Sequence, residues 1–328
     1  MCGLQAGGCW TDMRLLSREF LVLVRVEVEG FLRRRSFLAL LALTVVPLAV
    51  AVLLRGFVRN ILAGVGLNAS IFRAVWLSTL GARTVTDISS YVGAVMAITP
   101  VQFSTVASFA WIIAAMYGAY LFASDIESGR ISLILVRPVS RVEIIATKLI
   151  AYIVAMALMY TLSAGMLYAS FSILFTIQDY PWLIPVSGLL ISISTLPLAL
   201  VAALLGLKLR RSSIAALIAI IIYIVGSFVA AIPIIGASRD GMEDVIAAMR
   251  TAIMLDYAEP IHGSFKLPGL IFDAIVSGLD AKLVLTLMGS KAYMPSVGEI
   301  LAAAILAYVT ATILLITILT VYFKRYVV

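Results

Sequence analysis

Six stretches of this chain contain no Asp, Glu, Lys or Arg. They are Ser36–Leu54, Ile88–Ser124, Leu149–Gln178, Tyr180–Leu207, Ser212–Ser238 and Ile300–Phe323. A helix needs about 20 apolar residues, at about 1.5 Å each, to cross the hydrocarbon of a bilayer. Each run is long enough, the first only narrowly. Of the 328 residues, 63% are hydrophobic and 12% are charged, where a soluble domain carries about 25% charged residues. A water-soluble fold of this length has too little interior to hide so much apolar surface.

The fold class expected is therefore an all-α integral membrane protein with six transmembrane helices. The spans fall at about 36–54, 101–123, 149–175, 183–207, 213–236 and 299–323. The second run exceeds one crossing, so the crossing part starts after Pro100. The stretch before it lies in the interface or dips back into the membrane. Residues 13–328 read as a single transmembrane domain. Residues 1–12, which hold Cys2 and Cys9, read as a flexible extension, with the first span acting as insertion signal.

Basic residues orient the chain. With the N-terminus in the cytoplasm, the inner segments hold 15 of the 24 Lys and Arg residues, including Arg33–Arg35, Lys208, Arg210, Arg211, Lys324 and Arg325. Both termini then face the cytoplasm, and the plasma membrane is the expected location. The net charge of +7 is explained by this asymmetry, so no nucleic-acid partner is implied.

Flanking segments add detail. Phe20, Val24, Val28 and Phe31 recur at helical spacing among Arg18, Arg25, Glu29 and Arg33. They predict an N-terminal amphipathic helix lying on the inner leaflet. Between spans five and six, Glu243–Tyr257 predicts an amphipathic helix with Val245, Met249, Ile253 and Tyr257 on one stripe. Leu267–Leu279 is apolar but too short to cross, and reads as a membrane-dipping outer segment.

Enzyme chemistry finds no constellation. The single histidine, His262, reads as a surface residue of an outer loop. No Gly-x-Ser-x-Gly, His-Glu-x-x-His or Cys-x-x-Cys pattern occurs, and no metal site is expected. No Gly-x-x-x-x-Gly-Lys-Ser/Thr loop is present to cradle ATP. The spans lack the charged residues that ion-coupled carriers use.

One inner segment, Asp125–Ile144, has a distinct layout. The second span ends in Asp125 and Glu127, and Gly129 can terminate a helix. Ile131–Val136 is apolar, too short to span and too apolar to stay bare in water. Pro138 stops it. Ser140, with Glu143 three residues on, forms a capping box that opens the next helix. The pattern is helix, break, short apolar helix, break, helix.

This segment resembles the coupling segment of the permease subunits of type-2 ABC exporters. Glu127, Gly129, Leu133, Leu135, Pro138, Val139, Ser140, Arg141 and Glu143 match that family's pattern, and Lys148 fits its trailing lysine. Arg130 stands where the family usually has Thr. The resemblance implies two permeases, identical or paralogous, paired in the bilayer above two cytoplasmic ATPase subunits. ATP and magnesium would bind the ATPases, with no cofactor in this chain and no catalytic residue. The short helix around Ile131, Leu133 and Leu135 would dock in an ATPase cleft, with Asp125, Glu127, Arg130, Arg137 and Arg141 making polar contacts around it. It also implies a substrate path between spans two and five, with Ser104, Ser108, Trp111 and Tyr117 on one side and Tyr223, Ser227 and Phe228 on the other. Helix packing is the alternative role for each of these. Two other functions stay open: a permease-like scaffold for an ATPase, as in copper-enzyme maturation systems that share Arg-Pro-Val-Ser-Arg, and an ATPase-independent channel or carrier.

Overall fold

The computed structural model describes residues 18–64, 109–131, 140–174, 183–229, 242–268 and 297–326, together with Ile232 and Ile271. Among them there is no strand. The helices are α1 (Arg18–Leu32), α2 (Arg35–Gly64), α3 (Ala110–Glu127), α4 (Arg141–Leu174), α5 (Leu183–Ser194), α6 (Leu196–Leu209), α7 (Ser212–Val229), α8 (Met242–Ala258) and α9 (Val297–Tyr326), with a 3-10 turn at Gly263–Lys266. The described residues are all-α, as the expected fold class has it.

Among the described residues, α4 and α9 are long and apolar enough to cross a membrane, and α5 with α6 forms a third crossing if the bent pair is one span. Arg35–Val50 in α2 and Ser212–Gly226 in α7 are shorter apolar helices. The part of the second expected span before residue 109 lies outside the described residues.

The expected span at 183–207 is not one straight helix. It breaks at Thr195 and bends by 44°. Pro197, in the first turn of α6, has no N–H and its ring excludes the carbonyl of Ile193 four residues back. That carbonyl instead accepts the Tyr308 hydroxyl of α9 at 2.8 Å. Ser194 and Thr195 donate their hydroxyls to the carbonyls of Ile191 and Ser192, which bends a helix further. Apolar character continues through Pro197, so the run of residues without charge does not show the break. Tyr308→Phe strands the Ile193 carbonyl. The expected loss is about 1 kcal/mol, read as a lower Tm of the detergent-solubilised protein.

Small residues bring the central helices close. Ala114, Ala115, Gly118 and Ala119 of α3 meet Ala199, Ala202, Ala203 and Gly206 of α6, all buried. A Cβ on Gly118 would lie 2.5 Å from the Ala199 Cα, so the backbones touch where no side chain fits. In a bilayer such close packing favours helix pairing, because lipid tails are as apolar as leucine and give no hydrophobic drive. Helix α3 also packs on α7, and α4 on α1, α2 and α5. The core is filled by Tyr117, Phe122, Tyr152, Met156, Tyr160, Leu200 and Phe323. Outward faces of α2, α7 and α9 expose Leu53, Leu217, Val225, Leu306 and Leu314, surfaces that suit lipid.

Helix α1 forms where expected, with its apolar stripe turned toward the other helices. Phe20 and Phe31 are buried, and Val28 packs against the core. The apolar stripe thus faces the bundle, while Leu21, Val22 and Val26 are exposed. In the segment between α7 and α9, α8 covers the predicted amphipathic helix. Ile253 and Tyr257 pack beside Leu267, Ile300 and Ala304. Of the expected dipping segment Leu267–Leu279, only Leu267, Pro268 and Ile271 lie within the described residues.

Candidate functional site

Of the features predicted to bracket the short apolar segment, the Gly129 stop and the Ser140–Glu143 capping box are present, and the Pro138 stop lies outside the described residues. Helix α3 ends at Glu127, and Ser128 donates its N–H to Ser124 at 3.1 Å. Gly129 follows at φ +70° and donates to the Ile126 carbonyl at 3.1 Å. That left-handed conformation costs a residue with a Cβ about 1 kcal/mol or more and costs glycine little. Helix α4 opens with the capping box: the Ser140 N–H donates to the Glu143 carboxylate at 2.8 Å, and the Glu143 N–H to Ser140 Oγ at 3.2 Å. Ser140→Ala removes one of these bonds. We expect a loss of about 1 kcal/mol in thermal unfolding and frayed exchange-protection at the start of α4.

Between the stops, Ile131 is partly buried against the chain's own core. Leu133, Leu135, Arg137 and Pro138 lie outside the described residues.

The charged residues flanking the segment are turned onto neighbouring helices. Lys148 of α4, with its side chain 3% exposed, pairs with Asp125 at 2.5 Å and with Glu27 of α1 at 3.3 Å. Its ammonium also stands 5.8 Å from the Phe122 ring centre. Glu127 accepts the backbone N–H of Ser212 at 2.7 Å and its hydroxyl at 3.1 Å. It thereby holds the N-terminus of α7, where a carboxylate meets the positive end of the helix dipole. Arg141 donates to the Lys324 carbonyl near the end of α9 at 2.5 Å. Arg34 reaches Ser124 Oγ at 3.4 Å and lies over the rings of Phe31 and Tyr120. Arg130 is exposed. The expectation placed Asp125, Glu127 and Arg141 against a partner ATPase; in the structure they tie both ends of the segment to α1, α4, α7 and α9.

The sequence singles out Lys148 but pairs it with neither of its partners, Asp125 and Glu27. Glu27 lies 121 residues away from Lys148, and Ser212 lies 85 from Glu127. No local spacing announces such pairs.

Of the expected path residues, Trp111 of α3 and Tyr223 of α7 are brought together, stacked at 4.9 Å and 8° between planes. Tyr117 is buried in the core and donates to Ser36 Oγ at 3.1 Å; it packs inside its own bundle. Phe228 is 67% exposed and Ser227 lies beside it on α7. Ser104 and Ser108 fall outside the described residues. The largest difference is His262. Its side chain is 17% exposed, and its ring lies 4.9 Å from Tyr223, so it belongs to an interior contact. Among the described residues, no group of three or more His, Cys, Asp or Glu is placed to hold a metal ion.

Comparison with known proteins adds no relative: no protein-family model, curated protein or solved structure matches the chain.

Proposed function

We propose that the chain is the membrane-spanning permease subunit of a type-2 ABC exporter in the plasma membrane. The observation that carries the reading is the segment bracketed by Gly129 and the Ser140–Glu143 capping box, which joins the coupling-segment resemblance to a break-and-restart geometry. In this reading six helices cross the bilayer and both termini lie inside. The end bearing Lys148, Arg210, Arg211, Lys324 and Arg325 faces the cytoplasm, in keeping with the positive-inside rule. Two permeases pair, and the segment around Leu133 and Leu135 docks on an ATPase that binds ATP and magnesium. The chain itself hydrolyses nothing. Motion enters at the segment and spreads through Asp125–Lys148, Glu127–Ser212 and Arg141–Lys324 to α4, α7 and α9. Spans two and five, which meet at Trp111 and Tyr223, respond by opening or closing the path.

Affinity purification of the full chain from native membranes tests this. The expected preparation hydrolyses ATP and contains a subunit with a Gly-x-x-x-x-Gly-Lys-Ser/Thr loop. A folded, intact preparation with no such subunit and no hydrolysis overturns the proposal and favours a channel or carrier.

A further inference from the structure

The histidine lies at a joint between three elements. His262 follows α8 and precedes the 3-10 turn at Gly263–Lys266. Its ring lies 4.9 Å from Tyr223 of α7, which also receives the edge of Phe265 at 5.2 Å and stacks on Trp111 of α3. These aromatic contacts join the 256–266 turn to the ends of two helices.

The polar surroundings are those of a neutral imidazole. Nε2 lies 3.7 Å from Asp256 Oδ1, but Asp256 is already paired with Lys266. One oxygen of the Glu259 carboxylate, Oε2, accepts the backbone N–H groups of Ile261, His262 and Gly263. Nδ1 is buried and has no hydrogen-bond partner among the described residues. Protonation makes both ring nitrogens donors. It therefore places an N–H at Nδ1 with no acceptor among the described residues, and a second cation beside Lys266.

We propose that His262 is a pH-sensitive latch: while neutral it holds the 256–266 turn against Tyr223 and Trp111, and on protonation it releases the turn. The groups facing it are Asp256, Glu259, Lys266 and Tyr223, and the balance among them sets the direction. Burial and the Lys266 cation lower the histidine's pKa from its ordinary 6.5, against the opposing pull of Asp256 and Glu259. The packed state thus binds fewer protons than a released one. Its advantage is complete above about pH 6.5 and shrinks as the pH falls below that value. In the topology proposed above the turn faces outside, where it would sense external acid. The latch itself requires neither the ATPase nor that topology.

Ser264, buried within the turn, provides the readout. Ser264→Cys is introduced into the purified full chain with Cys2 and Cys9 replaced by serine, and maleimide labelling is followed at pH 7.5 and 5.5. Rates are divided by those of Gly298→Cys, an exposed position, which cancels the reagent's own pH dependence. The expected result is a severalfold rise in the ratio at pH 5.5, with His262→Gln low and flat at both values. A ratio unchanged by pH overturns the latch. So does a rise that persists in His262→Gln, or fast labelling of His262→Gln at both pH values, which would make the ring a packing group only.

Discussion

Gly118→Ala should unfold or severely destabilise the protein, although it adds a single methyl group. That methyl would lie 2.5 Å from the Ala199 Cα, against backbone that cannot swing aside. Overpacking typically costs about 1–3 kcal/mol where side chains can adjust, and here the obstacle is another helix. The two helices must separate, losing the close approach that stabilises them in lipid. We expect a loss of at least about 3 kcal/mol, measured as early thermal aggregation of the detergent-solubilised variant. Gly30→Ala is the contrasting case. It sits within α1 with nothing within 4 Å of the added carbon, and should gain about 0.5–1 kcal/mol from the better helix former.

Lys148→Met should be comparably damaging for a different reason. The methionine is similar in bulk, so the core stays filled, but Asp125 loses its cation. The Asp125 side chain is 12% exposed, and breaking a buried pair by removing one partner costs about 3–5 kcal/mol. Glu27, at 30% exposure, turns to water more readily and adds less. The check is a double substitution. Lys148→Met with Asp125→Leu removes both charges and should recover most of the lost stability, because a buried ion pair is often no better than apolar residues of similar volume. Failure of the double variant to recover would mean that Lys148 acts through something other than Asp125.

The features legible in the sequence were local ones. The capping box at Ser140–Glu143 and the stop at Gly129 each depend on a few neighbouring residues, and both stand as read. Helix α8 was readable because its apolar stripe repeats within one helix. The facing of α1 was not. Periodicity shows that Phe20, Val24, Val28 and Phe31 share a stripe, but lipid and protein are equally good apolar surroundings, so the stripe cannot say which it meets. The break at Thr195 was visible in principle through Pro197, yet its stabilising partner Tyr308 arrives from a helix 115 residues away. His262 was misread as a surface residue because a lone histidine in a loop carries no sign of Tyr223 or Phe265. The path residues divided for the same reason. Trp111 and Tyr223 meet, whereas Tyr117 turns inward toward Ser36, and one helical face alone does not separate those outcomes.

In the proposed function the segment between Gly129 and Ser140 docks an ATPase. It is tested most directly by purifying the tagged chain and its Leu133→Asp variant side by side from native membranes at equal expression. An ABC ATPase subunit is expected to accompany the wild-type chain and to be lost at least tenfold from Leu133→Asp, while both chains remain folded and membrane-inserted. Equal retention of the ATPase by the charged variant would contradict it, because a carboxylate at the centre of an apolar docking helix cannot be buried without a partner.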